Sequence, residues 1–171
     1  LDANKSMLAA GKLSVENGAH IVTQQFLDSF LILSGSGITF GLVIAMLFAA
    51  KSKQYKALGK VAAFPALFNV NEPVVFGFPI VMNPVMFLPF ILVPILAAVV
   101  VYGSIAIGFM QPFSGVTLPW STPAIISGFM VGGWQGAIVQ VIVLGISTLV
   151  YFPFFKFQDK LAYANELEAE K

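Results

Sequence analysis

Between Val61 and Phe155 one side chain carries a formal charge, and it is Glu72. It stands in Phe-Asn-Val-Asn-Glu-Pro-Val-Val-Phe-Gly, residues 68–77, with Asn69 and Asn71 before it and Pro73 after it. A carboxylate at bilayer depth costs at least ~2.5 kcal/mol, so it must face protein, water or ligand. Pro73 disfavours the helical region at Glu72 and suits the first position of a helix. The spacing predicts a helix from Pro73 through Val-Val-Phe-Gly-Phe-Pro-Ile-Val-Met, loosened at Gly77–Pro79. Its N-terminal dipole would favour the Glu72 charge. Asn69 and Asn71 add amide donors and acceptors. Two roles suit Glu72: a structural carboxylate satisfied by backbone amides, or a ligand-binding or proton-handling group in a cavity. Ionisable residues inside a membrane favour the second.

A second polar island is Leu-Pro-Trp-Ser-Thr-Pro, residues 118–123. Ser121 and Thr122 read as capping hydroxyls before a helix started by Pro123. Trp120 beside them is either an interfacial anchor or a platform for a sugar. A sugar offers a flat C–H face to an aromatic ring and a rim of hydroxyls to Glu and Asn. A third break, Gly35-Ser36-Gly37, brings the hydroxyls of Ser36 and Thr39 but no phosphate-binding loop. Gln24, Gln25 and Asp28 fall at helical spacing, either lining a cavity or marking an exposed face. His20 lies in a polar segment and reads as a surface residue. No metal constellation, hydrolase triad or cofactor motif is present in the sequence.

The elements that must position these groups follow from composition. Hydrophobic residues make up 58% of the 171 and charged residues 10%, with a mean hydropathy of +0.88. A water-soluble domain carries about a quarter charged residues, so the chain reads as membrane-embedded. Net charge is +1 and all nine basic residues are lysine, which argues against a nucleic-acid partner. Cysteine is absent, excluding disulfides, thiolate metal sites and a phosphocysteine on this chain. The start Leu-Asp-Ala-Asn, without Met, reads as the C-terminal part of something longer.

Residues 1–20 read as a loop or surface helix. If Gly35–Gly37 is a bend within one span, residues 30–50 form a crossing of about 20 residues. Residues 51–60, with four lysines and no acid, read as a cytoplasmic loop. Apolar segments follow at 85–110 and 134–155, and the tail from Leu161 reads as a short surface helix. Segments 61–84 and 111–133 are broken by proline and glycine. Charge parity fits either full spans or re-entrant hairpins there. Broken backbone at membrane depth favours re-entrant hairpins, and two such segments point to a transport site near the midplane. The fold expected is all-α and polytopic, with transmembrane helices and two re-entrant helical hairpins.

Thr-Gln-Gln-Phe-Leu-Asp-Ser-Phe-Leu-Ile-Leu-Ser-Gly-Ser-Gly, the N-x-N-E-P-x-x-F-G-x-P string and Leu-Pro-Trp-Ser-Thr-Pro closely resemble the IIC components of phosphotransferase systems, lactose/cellobiose/diacetylchitobiose family. The resemblance covers residues 20–158. It implies a homodimeric sugar permease of the bacterial plasma membrane, with no cofactor. A permease of that kind binds a β-linked disaccharide and presents its 6-hydroxyl to phosphorylated cytoplasmic IIB, charged in turn by IIA. Residues 1–171 would be most of the C-terminal, substrate-binding half, with the dimer contacts in an N-terminal half. Both 51–60 and the C-terminus would lie in the cytoplasm.

Carried over, the motif puts sugar-binding roles on Glu72, Asn71 and Trp120, with Asn69, Thr122 and Ser36 as further candidates. Glu72 is the candidate for helping to deprotonate the 6-hydroxyl. The family's site histidine aligns upstream of Leu1, so His20 does not inherit that role. The rival from residue chemistry alone is an ion-coupled secondary transporter with an intramembrane Glu.

Overall fold

A run with no charged residue after Asn83 forms the more apolar of the two long helices, α6, Pro84–Ala106, with a mean hydropathy of 2.7 in its best window. Its 23 residues make about 35 Å of helix, enough for a hydrocarbon core of about 30 Å. Asn83 caps it, accepting from the Val85 and Met86 amides at 3.0 and 3.4 Å, and Pro84 takes an opening position where no N–H is missed. Such a helix has the length and composition of the membrane-spanning element that the sequence leads one to expect.

A computed structural model describes residues 2–78, 80, 82–113 and 115–169. Every regular element among them is a helix. In chain order they are α1 (Asp2–Ala9), a single 3-10 turn (Val15–Asn17), α2 (Gln24–Phe26), which widens into a π-turned segment at Leu27–Leu31, α3 (Phe40–Ala49), α4 (Lys53–Leu67), α5 (Glu72–Gly77), α6, and α7 (Ile126–Ala169). α7 is two helices joined at a kink, where Gly133 has φ 64°. Its apolar part is the second stretch long enough to cross a membrane. α3 packs against α4 and α7, and α6 packs against α7. Between them lie Leu42, Met46, Val93, Val101, Val143, Tyr151 and Phe155, all buried.

Several expectations change. Residues 30–50 are not one crossing: the regular helix is only Phe40–Ala49. The preceding turn is held open because α7 binds its carbonyls, Tyr151 donating to Gly37 at 2.8 Å and Ser147 to Ile38. The 51–60 segment is not a loop: Ser52 caps the Tyr55 amide at 3.3 Å and α4 begins at Lys53. Residues from Leu161 are not a separate helix; nothing interrupts α7 after Pro153, and it runs to Ala169. Of the helix expected from Pro73 through Met82, only Glu72–Gly77 forms, and Pro79 and Val81 lie outside the described residues.

The tail of α7 staples the start of α4. Asp159, buried, accepts from the Lys51 amide at 3.0 and 2.9 Å and from the Ser52 amide at 3.0 Å. Glu166 accepts from the Ser52 hydroxyl at 2.6 Å and from the Lys53 and Gln54 amides at 2.9 and 3.1 Å. These are charge-assisted bonds at a helix N-terminus, where a carboxylate is favoured. The Ser52 hydroxyl, then the two amides, hold the Glu166 carboxyl below its ordinary value of 4.5. A carboxyl depressed on folding stabilises above its unfolded value, and that stability is lost as pH falls through the lower folded value. We therefore expect the Lys53 and Gln54 amides to be well protected at neutral pH, relative to their intrinsic exchange rates, and that protection to fall as pH drops below 4.5 through that window. Glu166→Gln should remove most of this pH dependence in hydrogen-exchange measurements.

Candidate functional site

Asn69 joins three loops. Its Oδ1 accepts from the Ser34 amide at 2.6 Å. Its Nδ2 donates to the carbonyls of Trp120 at 2.7 Å and Thr122 at 3.0 Å. Asn71 adds a second tie, donating from Nδ2 to the Ser36 carbonyl at 2.7 Å. The loop before α5 is thereby pinned to the turn at 32–39 on one side and to Leu118–Thr122 on the other. Five of the six residues singled out in the sequence (Ser36, Asn69, Asn71, Trp120 and Thr122) are linked by these bonds, and Glu72 follows Asn71 directly. The amides of Asn69 and Asn71 therefore have their donors committed to backbone. They hold the site's shape, and Asn71 is also buried.

Glu72 is different. It is exposed at the start of α5 and its carboxylate makes no hydrogen bond or ion pair among the described residues. The reading of Glu72 as a cap satisfied by its own helix amides is not what is seen. Instead the Asn71 carbonyl accepts from Val74 and Val75, at 2.9 Å each. Trp120 is 68% exposed, so its ring is open to a partner. Beside it is a shallow depression lined by Asp28, Ser29, Asn69, Pro119, Trp120 and Ser127, with a volume of about 10 Å³. That is room for about one water, not for a sugar ring.

The hydroxyls behave unlike the expectation. Thr122 turns its Oγ1 to the Pro119 carbonyl at 2.7 Å, within its own loop. Ser121 and Thr122 do not cap a helix at Pro123; α7 starts three residues later, at Ile126. The reason is Ile125, whose φ of 72° breaks the helical path. A distant side chain does the capping. Gln140, fully buried, accepts through Oε1 from the Ile125 amide and from Gly128 at 3.0 Å. Its Nε2 donates to the Ser29 carbonyl at 2.6 Å and to the Ser127 hydroxyl at 2.9 Å. Gly128 is required there: a Cβ would come within 2.6 Å of the Gln140 amide carbon. At Ser36 the carbonyl takes the Asn71 amide, leaving the exposed hydroxyl free of that tie.

The polar helix face also divides. Gln24 donates to both carboxylate oxygens of Asp28 at 2.9 Å on the exposed side, while Gln25 turns inward to the Val116 carbonyl at 3.3 Å. His20 is remote: its backbone is held by the buried side chain of Asn4.

The non-glycine residues with positive φ among those described are Ser34, Ile38, Asn69 and Ile125. All four belong to the loops joined by Asn69 and Gln140. Left-handed backbone costs a β-branched residue of order 1–3 kcal/mol and clusters at binding sites. Here the hydrogen bonds of Asn69 and Gln140, with that of Ser147 to the Ile38 carbonyl, hold that backbone in place. Gly35, with φ 83°, lies against the Asn71 side chain, where any Cβ would collide with it.

Residues 1–94 match the family model "Phosphotransferase system, EIIC". The chain belongs to that family. EIIC components are integral membrane proteins, in keeping with α6 and α7. This EIIC chain is 43% identical over 172 residues to the lichenan permease IIC component of Bacillus subtilis (strain 168), covering 98% of the chain and 37% of that relative. It is 45% identical over 149 residues to the cellobiose-specific EIIC component of Geobacillus stearothermophilus, covering 86% of the chain and 33% of that relative. Lactose-specific EIICB components also match. Among solved structures it is similar to the transporter ChbC, the IIC component of an N,N'-diacetylchitobiose-specific system. The TM-score is 0.88 and the identity 38%, over 95% of this chain and 37% of that one. The chain thus spans between about a quarter and a little over a third of the length of these relatives.

The residues missed in the sequence are Gln140, Ser34 and Asp159. Gln140 had a signal, an amide in an otherwise apolar helical run between Ala137 and Ile146. Ser34 had none: its buried hydroxyl has no partner among the described residues, and only its backbone amide reaches Asn69.

Proposed function

We propose that this EIIC chain supplies one wall of the sugar site in a phosphotransferase permease. Its substrate would be a β-linked disaccharide of the cellobiose, diacetylchitobiose or lactose class. The observation that carries this is Glu72, an exposed carboxylate without a partner in a 95-residue stretch with no other charge, one residue after Asn71. Glu72 accepts sugar hydroxyls, with the 6-hydroxyl nearest, and polarises that hydroxyl for attack on phosphorus. Trp120 packs on a pyranose face, at a loop set by Asn69. Asn69 and Asn71 shape the site through the backbone, and Ser36 and Thr122 lie at its rim.

The depression beside Trp120 is too small for a ring, so other parts of the full-length permease complete the cavity. The segments 61–84 and 111–133 act as two re-entrant hairpins meeting at the sugar. Phosphate comes from IIB on the cytoplasmic side, which matches the absence of cysteine here and the EIICB designation of some relatives. The lysines at 51–60 and at 156 and 160 support a cytoplasmic location for that end. The permease is a homodimer through segments outside residues 1–171.

Full-length permease in proteoliposomes, supplied inside with IIA, IIB, the general phosphotransferase proteins and phosphoenolpyruvate, should take up disaccharide and release it as phosphosugar. Uptake that ignores phosphoenolpyruvate and collapses with an ionophore would instead identify an ion-coupled carrier.

A further inference from the structure

The charge-free stretch of α7 ends at Phe155, and a basic stripe begins at the next residue. Lys156, Asp159, Lys160 and Tyr163 fall at i, i+3, i+4 and i+7, one face of the helix. Lys51, in the connection between α3 and α4, faces that stripe across a cavity of about 440 Å³, lined by these five residues. The volume lies within the roughly 300–1,000 Å³ of small-molecule clefts.

The electrostatics are one-sided. Three ammonium groups and one carboxylate give a formal charge of +2. The Asp159 oxygens are already taken by the backbone amides of Lys51 and Ser52. Lys51, Lys156 and Lys160 make no ion pair among the described residues. Lys156 is held in place, donating to the Ala49 carbonyl at 3.2 Å with its ammonium 5.6 Å from the Phe152 ring centre. Lys51 and Lys160 are exposed. Two exposed phenylalanines precede the lysines in the chain: Phe152, one turn before Lys156 on α7 and 43% exposed, and Phe48, three residues before Lys51 and 86% exposed.

We propose that this cavity binds the phosphate headgroup of an anionic phospholipid. The lysines meet the phosphate, Tyr163 donates its hydroxyl, and the acyl chains run up along Phe48 and Phe152. The depth supports a lipid over a soluble anion. Lys156 follows the exposed Phe152 by one helical turn, and the charge-free stretch of α7 ends just before it, which is the sequence mark of a change from hydrocarbon to headgroup. Basic pockets between membrane helices bind anionic headgroups in this way. The inference is independent of which sugar is carried.

Full-length permease in phosphatidylcholine nanodiscs, with and without phosphatidylglycerol, tests it by thermal unfolding and by mass spectrometry of retained lipid. Phosphatidylglycerol should raise the unfolding midpoint and co-purify. Lys51→Gln with Lys160→Gln spares the Lys156 bond to Ala49. It should weaken retention by about 25-fold, from roughly fivefold per lysine near an anionic surface. Lys56→Gln with Lys60→Gln removes equal charge from the same end outside the cavity and should retain lipid as the parent does. Equal loss in both pairs, or no loss in the first, overturns the proposal. It is also overturned if inorganic phosphate alone raises the midpoint in phosphatidylcholine discs. A first pair that keeps its lipid but loses phosphotransfer from IIB makes the cavity a protein-docking face and equally overturns it.

Discussion

Full-length permease carrying Glu72→Gln should bind its disaccharide about ten- to 150-fold more weakly than the parent. That corresponds to the ~1.5–3 kcal/mol of a hydrogen bond to a charged group. The substitution keeps the size and shape of the side chain and removes the charge. Because Glu72 has no partner among the described residues, nothing inside the chain is left unsatisfied by the change. The α5 turn begins with amides bonded to the Asn71 carbonyl rather than to the Glu72 carboxylate, so the helix should form as before. Binding and stability should therefore separate: calorimetric affinity falls while the unfolding midpoint moves little. If Glu72 also polarises the 6-hydroxyl, the rate of phosphosugar formation at saturating sugar falls as well. Unchanged affinity together with unchanged phosphorylation would remove Glu72 from the site. A large drop in midpoint would show instead that its charge serves the fold.

The part of this site legible in the sequence was the part written in local chemistry. One acid in 95 residues without another charge cannot hide, because its cost in lipid demands a purpose. Asn-Val-Asn-Glu-Pro and Leu-Pro-Trp-Ser-Thr-Pro announce broken backbone through residues that break it. Apolar length alone identified α6. What the local chemistry could not convey was who satisfies whom across the chain. Ser121 and Thr122 before Pro123 form a sound capping signal, yet the amides at 125 and 128 are capped by Gln140, twelve to fifteen residues away. Asn69 looked like a ligand for sugar because amides bind hydroxyls, and its bonds to Trp120 and Thr122 span more than fifty positions. The start of α4 was hidden for the same reason. Four lysines without an acid suggest a loop, and the acids that favour a helix there, Asp159 and Glu166, arrive from over a hundred residues downstream.

Gln140→Leu should be the most destabilising single change considered, and its effect should reach the sugar. Gln140 is fully buried and makes four hydrogen bonds, two accepted and two donated. Leucine fits the volume but leaves the Ile125 and Gly128 amides, the Ser29 carbonyl and the Ser127 hydroxyl without this partner. Each buried polar group left unpaired costs about 1–3 kcal/mol. Relaxation and water entry recover part of that, so a net loss of about 3–5 kcal/mol is expected, near the upper end for point substitutions. The left-handed backbone at Ile125 depends on the same side chain, since an isoleucine has no intrinsic preference for that conformation. Once the Gln140 bond is gone, the segment 119–125 can relax and carry Trp120 away from Asn69. Disaccharide affinity should then fall although Gln140 itself touches no sugar. Gln140→Glu separates the two halves of the network. Its carboxylate can still accept from both amides but cannot donate to Ser29, so affinity should survive better than in Gln140→Leu while stability still drops. Thermal unfolding of both variants, read beside sugar titrations, checks this. Two variants with parent-like midpoints would mean that the loop at 125 is held by something other than Gln140.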